Sequence, residues 1–191
     1  MRHVAYVLAA SLGILLAQKT TFGHAVDYCA LVNTYTRVSA AEHVVAPRTG
    51  RLASAIARIA RRAGVDPPHG CEAIESIYAG YITAPSRVVP VWVIVLHASF
   101  VRQLNEHELE AVVGHEIAHR VVGDRDLYVG NTYALQESNI DFRSRAWVDR
   151  DAQISALVKA FQFMSARAEP RRLPRLEAII SARIEALRSA R

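Results

Sequence analysis

The sequence predicts a mostly helical α+β domain with a small β-sheet next to one distinctive helix. Three observations carry that class. Apolar residues recur at helical spacing in several separate segments. Two short runs, Glu72–Thr83 and Val88–His97, are rich in β-branched and aromatic residues. The two runs stand together among the helical segments, which points to α+β rather than to a repeated strand–helix alternation.

The chain has 191 residues, enough for one ordinary domain plus a processing segment. Hydrophobic residues make up 51% and charged residues 21%, which excludes a disordered or collagen-like chain. Residues 1–25 read as a secretory signal peptide. Arg2 and His3 make a short polar start, Val4–Ala17 is apolar apart from Ser11 and Gly13, and Gly23-His24-Ala25 offers small residues at a cleavage site. Those fourteen apolar-run residues span only about 21 Å as a helix, short of the roughly 30 Å hydrocarbon core. Cleavage after Ala25 is therefore expected, with an uncleaved membrane anchor as the alternative. Export to the periplasm or the exterior follows from either. Removing the segment takes Arg2 and Lys19 and no acid, so the net charge falls from +5 to +3.

Residues 26–191 then form the domain. An oxidising compartment lets Cys29 and Cys71, the two cysteines, pair in a disulfide. Two cysteines exclude a disulfide scaffold and a four-cysteine zinc ribbon. A short helix is expected over Val26–Val38. Thr49–Ala63 reads as an amphipathic helix with Leu52, Ile56 and Ile59 on one face, closed by Gly64 and stopped by Pro67-Pro68. The two strand runs follow, joined by a turn at Ala84–Arg87. Pro90 cannot donate to a β-ladder and marks the second run as an edge or a strand start.

A further helix opens at Asn105, a good N-cap, with Glu108 placed to bond back to it. Leu109, Val112, Val113 and Ile117 continue at helical spacing, and Gly123 ends the helix before the charged turn Asp124–Asp126. Asn131–Glu169 contains no Gly or Pro and reads as one long helix or two in tandem, ended by Pro170. A last amphipathic helix is expected from about Pro174 to Ala190, with Leu176, Ile179, Ile180, Ile184 and Leu187 on its apolar face.

The helix after Asn105 carries His115-Glu116-Ile117-Ala118-His119, an HExxH motif. Residues i and i+4 share a helix face, so His115 and His119 can converge on one zinc ion. Glu116 is rotated by about 100° and can reach a water at the metal as catalytic base. A catalytic zinc needs a third protein ligand. The metzincin pattern would require Gly at 122 and His at 125, where this chain has Val122 and Arg125. Glu137, with 17 residues between it and His119, is the candidate ligand, and Asp141 one turn later is placed to take the Nδ1 proton of a ligand histidine. Such a site hydrolyses peptide bonds, so the expected substrate is a protein or peptide. The Val88–His97 strand would bind it in extended form by edge pairing. Tyr133, Arg143 and Arg145 are candidates for stabilising the oxyanion.

These segments together resemble the HtpX/CAAX-prenyl-protease superfamily of zinc metallopeptidases. IARIARRAGV (56–65), ESIYAGYI (75–82) and VVPVWVIVLHASFVRQL (88–104) are similar to its first helix and strands. NEHELEAVVGHEIAHRVVGD (105–124) resembles its zinc helix, and LEAIISARIEAL (176–187) its closing helix. The resemblance implies a shortened, zincin-like gluzincin domain. It also implies zinc on His115 and His119, Glu116 as base, and a membrane or periplasmic endopeptidase acting in protein quality control. The family's Glu-x-x-Ala-Asp motif maps onto Glu137–Asp141 with Ile140 in place of Ala. An alternative register sets Val148-Asp149-Arg150 on its end, and the ligand position then falls on Arg145, which cannot bind zinc. That register implies a catalytically inactive relative serving as a protein-binding or chaperone module. The arginine clusters at 58–62 and 171–175 lack aromatic interleaving or a nucleic-acid motif, so no nucleic-acid partner is expected.

Overall fold

The computed structural model describes residues 29, 43–45, 50–74, 80–83, 92–122 and 133–190. The predicted signal segment lies outside the described residues. So do the Val26–Val38 helix apart from Cys29, the Ala84–Arg87 turn and the Gly123–Asp126 turn.

The strands are β1 (His43–Val45), β2 (His69–Ile74), β3 (Gly80–Thr83) and β4 (Trp92–His97). They form one sheet in the order β1-β2-β4-β3. β2 pairs with β4 in parallel, while the β1–β2 and β3–β4 pairs are antiparallel. The predicted run Glu72–Thr83 is therefore two strands that flank β4 without touching each other. Of the two readings of Pro90, the edge is excluded, because β4 lies between β2 and β3, while the strand start stands, since β4 begins at Trp92. Peptide binding by edge pairing on this strand is overturned with the edge. Its sequence carries the reason. Val93, Ile94, Val95 and Leu96 are all buried, and an unbroken apolar run with no polar alternation belongs to a strand covered on both faces. β4 has no free edge for a peptide; among the described residues the sheet ends at β1 and β3.

Helix α1 (Arg51–Ala63) lies where its apolar spacing predicts. Gly64 closes it at φ 68°, a left-handed conformation that glycine adopts without Cβ strain. The Val65 N–H bonds back to the Ala60 carbonyl at 3.0 Å and the Gly64 N–H to Arg61 at 3.3 Å, a Schellman ending. Leu52 and Ile56 of α1 pack over Gly70 of β2, and a Cβ at Gly70 would stand 2.7 Å from Ile56 Cδ1. The glycine lets the helix sit close on the sheet. A short helix α2 (Ala98–Val101) follows β4 directly, its first turn capped by His97, whose Nδ1 accepts from the Ser99 N–H at 3.1 Å.

Helix α3 (Glu106–Val122) is the centre of the domain. It starts with the predicted capping box. The Glu108 N–H donates to Asn105 Oδ1 at 2.9 Å, and the Asn105 N–H donates to Glu108 Oε2 at 2.7 Å. The Asn131–Glu169 stretch resolves into two helices, α4 (Tyr133–Ser144) and α5 (Arg150–Ser165). The break falls at Asp149, whose side chain accepts from the Ala152 N–H at 2.8 Å and caps α5. A 3₁₀ turn at Pro170–Arg172 leads into α6 (Leu173–Ser189).

Leu109, Val113 and Ile117 of α3 share one core with Leu52, Ile56 and Ile59 of α1, Ile94 and Leu96 of β4, Phe100 and Phe163. A second cluster joins Leu157 of α5 to Ile180 and Leu187 of α6. Ion pairs reinforce the contacts of α3. Arg58 and Arg62 of α1 both reach Glu110, and Lys159 of α5 reaches Glu108 at 2.6 Å. Two of the arginines in the 58–62 cluster are thus committed to a carboxylate within the domain. Cys29 and Cys71 form a disulfide that ties Cys29 to β2. No helix among the described residues is long and apolar enough to cross a membrane.

Candidate metal centre

The helical repeat sets His115 and His119 on the same side of α3, one turn apart. Their rings meet edge to face, 4.7 Å between centroids, and the two Nε2 atoms lie 3.1 Å apart. Helix α4 packs against α3 and presents Glu137 to this pair. Glu137 Oε2 is 3.2 Å from His115 Nε2, and Oε1 is 3.8 Å from His119 Nε2. One ligand atom from each of His115, His119 and Glu137 lies within 4.8 Å of the other two.

These residues fit a tetrahedral divalent metal such as zinc. Bonds of about 2.0–2.1 Å place two tetrahedral ligands roughly 3.3–3.4 Å apart, close to the spacings found here. Two imidazoles and a carboxylate are also an ordinary zinc donor set that leaves a fourth position open.

One turn after Glu137, Asp141 faces the other nitrogen of His115. Its Oδ1 accepts from His115 Nδ1 at 2.8 Å. A proton held at Nδ1 makes Nε2, the nitrogen facing Glu137 and His119, the atom left to ligate a metal once its own proton is displaced. Ile140 is buried, so the place where the resembled family carries Ala is filled by a larger apolar group.

Arg183 of α6 completes the cluster, and sequence reasoning missed it. Its Nε donates to Asp141 Oδ2 at 2.7 Å and its Nη2 to Asp141 Oδ1 at 2.8 Å, while Nη1 stands 3.3 Å from Glu137 Oε2. A signal was present. Arg183 falls three residues after Ile180 and four before Leu187, on the apolar stripe of the last helix, where a charge needs a partner.

The electrostatics follow from burial and this pairing. Burial opposes ionisation of Asp141, but His115 and Arg183 outweigh it and hold the carboxyl well below the usual range. Burial likewise opposes Glu137, and the same two partners hold it low. Burial and the Arg183 cation disfavour a charged His115, yet the two carboxylates prevail and raise its pKa to about 9. Metal binding there must displace a proton. Glu116 is buried on α3, and burial pushes its carboxyl up against the opposing pull of His115 and His119.

The other predicted residues lie elsewhere. Arg145 turns away from the cluster. Its Nη1 donates to the Ala190 carbonyl at 3.4 Å and its guanidinium lies over the Phe142 ring. Asp149 is spent on the α5 cap. The register that would put Arg145 at the ligand position is not the arrangement in space. Arg143 is exposed. Tyr133 is the first residue of α4, and its side chain is outside the described residues.

An α+β domain that buries a His-His-Glu cluster on two packed helices, with HExxH on one of them, is built as a metallopeptidase. The profile of peptidase family M48 matches residues 46–167, and the chain belongs to that family. No curated protein and no solved structure matches the chain.

Proposed function

We propose that this protein is a zinc-dependent metalloendopeptidase that cleaves exported or envelope proteins, in the manner of a quality-control protease. The observation that carries the reading is the buried triangle of His115, His119 and Glu137 in an M48 chain, with Glu116 on the same helix.

In this reading His115, His119 and Glu137 hold the metal. Zinc bound there would acidify its water and polarise the scissile carbonyl. Asp141 keeps the His115 proton on Nδ1, so the imidazole offers Nε2 as a neutral ligand. Glu116 takes a proton from the attacking water and delivers it to the departing amine, which keeps the proton count balanced across the cleavage. The disulfide supports an oxidising compartment and hence export, the fate expected from residues 1–25. If that segment is retained, it would tie the domain to a membrane.

Two measurements on purified protein test this. Wild type is expected to carry one zinc per chain and to cleave casein. Glu116→Gln should keep the zinc and lose cleavage. Glu137→Ala should lose zinc, while Asp149→Ala should keep it, because Asp149 caps a helix and does not face the histidines. Wild type without zinc would refute the reading. Zinc-loaded wild type without peptidase activity would leave a non-catalytic protein-binding relative.

A further inference from the structure

The cluster contains one cation whose place is not explained by ligation or by proton transfer. We propose that Arg183 is a positioning residue of the metal centre: it clamps Asp141, and through Asp141 fixes His115 with Nε2 turned toward the metal. The inference rests on the metal-site reading above and extends it to α6, beyond the residues 46–167 that define the family match.

The geometry is that of a fork. Arg183 Nε and Nη2 reach separate oxygens of Asp141, at 2.7 and 2.8 Å, so the carboxylate plane is fixed at two points. Asp141 Oδ1 then has one remaining direction, and His115 Nδ1 occupies it at 2.8 Å. Without the fork, the carboxylate could rotate about its last bond and release the ring. The third nitrogen, Nη1, reaches Glu137 Oε2, the oxygen that also faces His115 Nε2. One guanidinium thereby orients both α4 carboxylates and offsets their repulsion where water cannot.

The guanidinium is held in turn by its helix. Ile180 and Leu187, on either side of Arg183, are buried against Leu157 and its neighbours on α5. The three side chains of the centre that follow α3 therefore come from two helices, and α6 supplies none of the metal donors. A lysine would keep the charge but could not bridge two oxygens in one plane.

The test is the zinc dissociation constant, measured by competition with a chromophoric chelator. The proteins are wild type, Arg183→Gln and Arg183→Lys, each made with and without Asp141→Asn. Arg183→Gln should weaken zinc binding by about 10–100-fold, the usual range for a partner of a ligand histidine. Arg183→Lys should recover only part of this. With Asn at 141, the Arg183→Gln change should have a clearly smaller effect than it has alone, because the path through Asp141 is already disabled and only the direct contacts with Glu137 and His115 remain to be lost. An Arg183→Gln affinity within twofold of wild type overturns the inference. So does full recovery by lysine, or an undiminished effect in the Asp141→Asn background. If Arg183→Gln fails to fold by circular dichroism, folded Arg183→Lys with wild-type affinity overturns it equally. Wild type without zinc refutes the proposed function itself, and is thereby distinguishable from failure of this inference alone.

Discussion

Gly114 stands one residue before His115, and an added methyl group there meets a neighbour directly. A Cβ at this position would lie 2.8 Å from Val148 Cγ1, with Val148 Cγ2 at 3.6 Å and Ser144 Cβ at 3.7 Å. Carbon atoms prefer about 3.5–4.0 Å, so only the first contact is too close. Val148 is β-branched and sits between α4 and α5, so it must move as a unit. Overpacking of this kind costs about 1–3 kcal/mol. The Gly→Ala change in a helix interior returns about 1 kcal/mol. Gly114→Ala should therefore destabilise by about 0–2 kcal/mol, a fall in Tm of up to about 8 °C for a chain of this size. The sign alone does not isolate the contact, so the decisive comparison is a four-protein cycle with Val148→Ala. Val148→Ala alone should also destabilise, by roughly 1 kcal/mol for a half-buried truncation. The double variant should be more stable than the sum of the two by about 1–3 kcal/mol, since the clash is gone and the helix gain remains. Thermal and urea unfolding of the metal-free proteins measure all four corners. Strict additivity would refute the close approach of Val148 to α3, and with it the tight seat of the segment before His115.

Two further outcomes follow from packing and charge. Replacing both Cys29 and Cys71 with Ala opens a loop set by a sequence separation of 42 and should cost about 4 kcal/mol on the chain-entropy account, seen as a urea midpoint lower by more than about 1 M; a shift of a few tenths molar would show that the bridge restrains little. Glu108 and Glu110 are held below their ordinary pKa, with burial opposed and outweighed by Lys159 and Ser155 at Glu108 and by Arg58 and Arg62 at Glu110. Because the folded pKa values are depressed, their stabilisation is present above about pH 4.3, the unfolded value, and is lost as pH falls through the folded values. Stability measured from pH 7 downward should fall in that acid range, and Glu108→Gln should flatten the fall; an unchanged acid limb would refute the pairing.

Much of the centre is legible in the sequence because its spacings are local. The HExxH pair, the Asn105–Glu108 box and the Gly64 ending each depend on residues within one or two helical turns, and each lies where the spacing puts it. Glu137 and Asp141 are legible as a pair at i, i+4, but the choice between that register and the one ending at Asp149 depends on packing between helices. In space Glu137 stands with the two histidines, while the Asp149 side chain is used by its own backbone. Strand order is less accessible. Parallel pairing of β2 with β4 is a non-local contact, and Pro90 leaves an edge and a strand start open while the unalternating apolar run of β4 points to the middle of the sheet. Arg183 is hidden for the same reason: it lies 42 residues from Asp141 in the chain, and its Nη2 also comes within 3.2 Å of His115 Nδ1, 68 residues away.

That separation has a consequence in time. A ribosome adds residues at about 5–20 per second from the N-terminus, so roughly 3–14 s pass between the making of His115 and of Arg183. During that delay α3 and α4 can present histidines and carboxylates, but the two acids lack the Arg183 guanidinium. Contacts so distant along the chain are also the slowest to close. The centre therefore has an assembly clock, and its last tick is the docking of α6.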